Sequence, residues 1–264
     1  MKSVARTIAA IQARDVMRSR WILVYSGFFL LLSEGLLRFS GDQAKAVLSL
    51  ATASLMIIPL ATLVLATIYV YTTREFTELL LAQPIRRSSL YAGLYSGLSL
   101  PATAGFVIGV AMPFVLRGGG DPAVRAALAV LLVVGSALTC AFTAIAFCVA
   151  LRTEDRLRGV GVALGVWLLV AVAYDGIVLT GVALLGDYPI ERPLLVLMFA
   201  NPVDLGRVLL LMRLDASALL GYTGAVFERV FAGNTGACLA AGMLFVWIAA
   251  PVALGWRWFR RKDF

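Results

Sequence analysis

The chain has 264 residues, 61% hydrophobic and 14% charged, with a mean hydropathy of +0.92 and a net charge of +8. Soluble domains are closer to half apolar and a quarter charged, and apolar runs of about twenty residues call for lipid as their solvent. The basic residues flank apolar runs instead of gathering in one patch, which argues against a nucleic-acid partner and for orientation in a membrane.

The inventory of side chains narrows the chemistry further. Histidine is absent, which removes the commonest general base and metal ligand. Cys140, Cys148 and Cys238 all lie in apolar segments and imply no disulfide framework. No phosphate loop, nucleophile elbow or metal-spaced His/Cys cluster is present, and Gly159-x-Gly161 lacks the preceding strand of a nucleotide fingerprint. The chain is therefore not expected to be an enzyme or to bind a metal or cofactor itself.

The first twenty residues carry Lys2, Arg6, Arg14, Arg18 and Arg20 with no separate apolar core or small-residue cleavage site, so the first span is expected to act as its own insertion signal. Val4, Ile8 and Ile11 share a helical face that Asp15 and Arg18 interrupt, which predicts a weakly amphipathic surface helix over 1–20 bending into the first span. Six apolar runs then follow: Trp21 to Phe39, Val47 to Tyr71, Tyr91 to Leu116, Ala126 to Leu151, Gly159 to Leu185 and Ala237 to Trp258. The N-terminus, the 72–90 and 152–158 loops and the C-terminus hold fifteen Lys or Arg, against eight on the other side, which places both ends in the cytoplasm. Trp21, Trp256 and Trp258 fall near that inner boundary. Pro59, Pro101, Pro113 and Pro251 lie within spans. Gly93-xxx-Gly97, Gly105-xxx-Gly109 and Gly161-xxx-Gly165 have the spacing that lets helix backbones approach, and bundle packing is the expected use of all three. The fold class is thus all-α, a single six-span domain over 1–264.

Four features stand out as carriers of function. In the 72–90 loop, Thr72 and Glu75 have capping-box spacing, Phe76, Leu79 and Leu80 form an apolar stripe, and Pro84 ends the segment. This predicts a short amphipathic helix with an acidic edge, either a frayed extension of the second span or a docking helix. Glu34, with Arg38 one turn on, and Asp175, with no counter-charge in its own helix, are intramembrane acids. Asp175 is assigned either to a contact with another helix or to a substrate. Between spans five and six, Asn201-Pro202-x-Asp204 reads as a helix start with Asn as N-cap, and Asp204 and Arg207 have pairing distance along it. That helix is too short to span, so it is expected at the interface or over the bundle mouth, as a structural lid or a substrate contact.

The six spans, the N-terminal helix and the stretch Glu75-x-x-Glu78-Leu79-Leu80-Leu81-Ala82-Gln83-Pro84-Ile85-Arg86-Arg87 resemble the ABC type-2 permeases. More narrowly, Leu164-Gly165-Val166-Trp167 followed by Asp175, the Asn201-Pro202-x-Asp204-x-x-Arg207 stretch and the basic tail resemble the NosY family, permeases of nitrous oxide reductase maturation systems. The resemblance implies a homodimer in a bacterial inner membrane, with NosF-like cytoplasmic ATPase subunits that hold ATP and Mg. It also implies a NosD-like periplasmic accessory protein. Glu75, Phe76, Glu78, Leu79, Leu80, Leu81, Pro84, Arg86 and Arg87 would enter the ATPase, and the 186–236 segment would face the accessory protein. The implied work is ATP-driven transport or mechanical signalling for copper-centre assembly. The rivals are an exporter of a drug, lipid or glycan, and an ion-coupled carrier, for which Asp175 alone lies near a suitable depth. Cys140 and Cys148 are read as core packing in preference to a copper relay.

Overall fold

The computed structural model describes residues 2–184, 196–213 and 234–262, and among them there is no strand. The helices are α1 (Lys2–Arg18), α2 (Arg20–Phe39), α3 (Gln43–Thr72), α4 (Arg74–Leu81), α5 (Arg87–Leu116), α6 (Pro122–Arg152), α7 (Arg156–Leu168), α8 (Tyr174–Leu184), α9 (Pro202–Arg213) and α10 (Asn234–Arg261). A π-helical turn, Leu169–Ala173, joins α7 to α8, so these form one span with an irregular middle. Six helices are long and apolar enough to cross a bilayer, at the six places the apolar runs predict.

The helices outrun their apolar cores because polar caps set their ends. Asp42 accepts from Ala44 N to start α3, Asp121 precedes Pro122 at the first position of α6, and Asp155 accepts from Leu157 N to start α7. The turn from α5 to α6 passes through Gly118, Gly119 and Gly120 at φ of 86°, 74° and 69°, a run of left-handed backbone that side chains with a Cβ resist.

The bundle is built around α5 and α6, each more than half covered by the rest of the chain. α6 meets α3, α5, α7, α9 and α10, while α5 carries α1 and α2 on its other side. Phe29, Phe106, Phe114 and Phe142 fill the centre, with Phe29 and Phe106 edge to face at 5.1 Å. Close approach depends on glycine. A Cβ at Gly109 would lie 2.6 Å from Ser26 O, one at Gly97 would meet Gln12 Cβ at 2.5 Å, and one at Gly135 would enter the Phe106 ring.

Two expectations about packing need correction. Gly161 and Gly165 have nothing within 4 Å, so this third pair packs against none of the described residues. The face that α1 buries is Ile8, Gln12 and Val16, whereas Ile11 is half exposed. Gln12 takes that inner position because Tyr69 OH donates to its side-chain carbonyl, which lets a polar side chain serve where the apolar pattern called for a hydrophobic one.

Gly109→Val is expected to destabilise the bundle by about 1–3 kcal/mol through overpacking. Gly27→Val, at a glycine with nothing within 4 Å, serves as the control. Thermal melting of the purified proteins in detergent should separate the two, and equal melting points would contradict the packing described.

Candidate functional site

Two places gather the predicted functional residues. The first is α4, which follows α3 after a single residue, Thr73. The predicted capping box is not formed: Thr73 is the N-cap without a side-chain cap bond, and the hydroxyls of Thr72 and Thr73 bond back to Ile68 O and Tyr69 O. Such back-bonding continues the α3 hydrogen-bond pattern into the bend.

The predicted apolar stripe also divides differently. Thr77 is buried, and Leu80, Leu81 and Ile85 pack against the core, so the seat is the Thr77, Leu80, Leu81 face at i, i+3, i+4. Phe76 and Leu79 point away, 40% and 69% exposed, beside exposed Glu75 and Glu78. Arg74 Nε pairs with Glu78 Oε1 at 3.1 Å. Pro84 and Arg86 are exposed in the turn that follows, and Arg86 caps α5. Arg87, itself exposed, reaches the end of α10: its Nη1 donates to Arg260 O and Lys262 O, both at 2.9 Å. Lys262 Nζ in turn donates to Leu151 O at 2.9 Å, and burial, reinforced by the Arg74 charge against an opposing Glu154, lowers its pKa.

The second place is a polar junction between the fifth span and α9. Arg207 Nη1 lies 2.7 Å from Asp175 Oδ2 and 3.3 Å from Asp204 Oδ1. Asn201 is fully buried and uses its whole amide. Its Nδ2 donates to Val170 O at 2.8 Å and Asp204 Oδ2 at 3.0 Å, and its Oδ1 accepts from Val203 N at 2.9 Å. Val170 belongs to the π turn, where the regular hydrogen-bond ladder is interrupted. Tyr174 OH donates to Leu197 O, Trp167 Nε1 to Met56 O at 3.1 Å, and Trp247 Nε1 to Phe199 O at 3.0 Å. A cavity of about 630 Å³ opens beside the junction, lined by Ser49, Thr52, Met56, Ala171 and Arg207 among others.

This geometry corrects the placement of α9. It does not lie over the bundle mouth, because Gly206 sits against Leu55, Val134 and Leu138, roughly three turns into α3 and α6. A short helix is stable at that depth because its N-terminal polar groups are satisfied by Asn201 and by Asp204 near the positive end of its dipole. The remainder of the 186–236 segment, including Arg192 and Arg229, lies outside the described residues.

Glu34 sits apart from both places, paired with Arg38 at 2.7 Å and with Arg117 from the end of α5. Sequence reading supplies Arg38 by spacing but gives no signal for Arg117, far away along the chain. It likewise gives none for the Asp175 partner, or for the Arg87 contacts. Cys148 Sγ donates to Pro251 O at 3.2 Å and Cys140 lies near Thr103, so the two thiols face different neighbours.

With both places described, the comparisons with known proteins decide the family. The profile of the ABC-2 family transporter proteins matches residues 6–264. The chain belongs to the ABC-2 family. The permease is 30% identical to the Pseudomonas aeruginosa protein named "Probable ABC transporter permease protein NosY", over 98% of each chain. It is 26% identical to the Stutzerimonas stutzeri protein of the same name, over 97% of each. It is a multi-pass membrane subunit of an ABC transporter, and membership of the family implies an ABC ATPase partner.

Of the permease residues that carried the narrower resemblance, Asp175 meets Asn201, Asp204 and Arg207 at the junction across about thirty residues of sequence, while Trp167 bonds to Met56 O of α3. Asp175→Asn is expected to lower stability by about 1–3 kcal/mol, because it leaves Arg207 with its charge only partly matched. Adding Arg207→Gln should recover part of that loss. Detergent melting of the two singles and the double tests this, and additive losses would contradict the pairing.

Proposed function

We propose that this permease couples ATP hydrolysis by a separate NosF-like ATPase to work across a bacterial inner membrane in a nitrous oxide reductase maturation system. Both termini and α4 face the cytoplasm, and the segment around α9 faces a NosD-like periplasmic protein. ATP and Mg are held by the ATPase and not by this chain. The work is transport of a small species or a mechanical signal in service of copper-centre assembly. Similarity to two proteins named NosY over nearly the whole chain supports the maturation role.

The observation that carries the coupling assignment is the two-faced α4. Thr77, Leu80 and Leu81 seat it on the bundle, while Phe76 and Leu79 stand exposed between two acids. Exposed apolar side chains with a charged rim mark a docking surface. A movement imposed on this face by nucleotide binding passes into α3, one residue before α4, and into α5, five residues after it.

The far end supports the same reading. The π turn allows the two halves of span five to move differently, and Asn201 and Arg207 tie α9 to that turn and to α8. Movement of span five would therefore reach the segment that follows α9. The homodimer assignment rests on span five as well, since the described residues cover less of it than of any other span and Gly161 and Gly165 lie open among them. A second copy would bury that face. The absence of histidine, together with two cysteines engaged elsewhere, favours a non-metal species or a mechanical signal over passage of copper.

Phe76→Ala with Leu79→Ala and Glu78→Lys is expected to weaken ATPase assembly by tenfold or more and to uncouple ATP turnover, with membrane insertion intact. Leu80→Ala, at a seated position, should act mainly on α4 stability. Co-purification and ATP turnover of the reconstituted complex are the measurements. Normal assembly by the triple variant would overturn the coupling assignment. A cysteine placed at Gln83 should label from the cytoplasmic side of intact cells' membranes only, and labelling from outside would overturn the orientation.

A further inference from the structure

α4 has eight residues, buries one of them fully, and is reached from α3 through a single residue. What stands behind it is the far end of the sequence. The Arg87 guanidinium, at the first position of α5, donates to the carbonyls of Arg260 and Lys262, which terminate α10. Carbonyls at a helix C-terminus have no partner in their own helix, and a planar five-donor fork suits two of them at once. Lys262 fastens the same turn to Leu151 O of α6. Arg152 lies over the Trp258 ring at 4.4 Å, and Phe259 packs on Tyr91 of α5 at 5.6 Å.

The last turn of α10 is therefore bound to the first turn of α5 and the last turn of α6. Between it and the underside of α4 remains a gap of about 30 Å³, lined by Arg74, Thr77, Phe259 and Lys262 among others. That is room for about one water molecule. Lys262 and Arg74 are like charges across this gap, and Arg74 turns instead to Glu78 on the exposed edge of α4.

We propose that Arg87 and the last turn of α10 form a stay that holds α4 in place, so that Arg87 is a positioning residue of the coupling surface and not a contact to the ATPase. The functional consequence rests on the coupling reading above, whereas the stay itself does not. The C-terminal turn sets the height and tilt at which Phe76 and Leu79 are offered to the partner.

The test uses the full permease in lipid nanodiscs, titrated with the ATPase subunit that co-purifies with it. Three variants are compared: Arg87→Ala, Arg87→Lys, and a chain ending at Phe259, which lacks both acceptor carbonyls. Arg87→Ala and the truncation are each expected to weaken assembly by about tenfold. The two combined should be no weaker than the truncation alone, because they remove one shared interaction. Arg87→Lys should recover part of the loss. A combined loss equal to the product of the single losses would show Arg87 acting separately and overturn the proposal.

Amide hydrogen exchange of the permease alone supplies a readout independent of the ATPase. Exchange over residues 74–82 should accelerate in Arg87→Ala and in the truncation, with α2 unaffected. Unchanged exchange there overturns the stay whatever the ATPase does. Accelerated exchange with unaltered assembly, in the α4 surface variants too, would leave the stay in place and remove the coupling reading. If Arg87→Ala fails to accumulate in membranes, Arg87→Gln, which still donates to one carbonyl, takes its place in every comparison.

Discussion

A bilayer interior offers no water to a stray donor, acceptor or charge, and that constraint organises this permease. Each unmet polar group there costs several kcal/mol. The junction of Asn201, Asp204, Arg207 and Asp175 is one place where the chain meets this demand. The π turn disturbs a backbone ladder in mid-span, and Asn201 supplies the missing donor to Val170 O. The N-terminus of α9 starts deep in the bundle, and the same Asn201 accepts from Val203 N. Two carboxylates and one guanidinium then share a single cluster. Asp204 Oδ1 stands 3.3 Å from Arg207 Nη1, within ion-pair reach.

The same constraint explains why α6 is the hub. A helix that touches five others must offer small or flat surfaces to several of them, and α6 does so with Gly135 under Phe106 and a run of alanines and threonines toward its end. Without a hydrophobic effect between helices in lipid, close van der Waals contact holds such an arrangement. The glycines at 97, 105 and 109 give α5 the equivalent surface for α1 and α2, so the two central helices share the load from opposite sides.

Much of this was legible in the sequence, and the limits follow a physical line. Apolar run length fixes span number because hydrocarbon thickness is the same for every helix. The helix start at Asn201-Pro202 was legible because capping is a local geometry of a few residues. The depth of α9 was not, since it depends on a carbonyl about thirty residues away that only the π turn makes available. The α4 stripe misled for a related reason. Phe76, Leu79 and Leu80 do share a helical surface, yet which part turns inward is decided by the bend at Thr73 and the wall behind it, neither of which periodicity reports. Gln12 facing inward on α1 is the same lesson in reverse, a polar residue made acceptable by Tyr69.

Both candidate sites place a short helix against long spans. α9 is bound to span five through Asn201 and Arg207, and α4 is packed against α3 and α5. A long span is stiff along its axis and transmits displacement over its whole length, whereas a loop would absorb it. On the proposed reading, this is what converts a nucleotide-driven movement at one membrane face into a movement at the other. The force enters at Phe76 and Leu79, reaches α3 and α5 through the seat of Thr77 and Leu80, and passes to span five where α3 meets α7 and Trp167 grips Met56 O. The π turn then permits α8 to follow α9 and not α7. A continuous α-helix in its place would make span five a rigid rod and force both ends to move together, which is the behaviour that an irregular mid-span, held by Asn201, avoids.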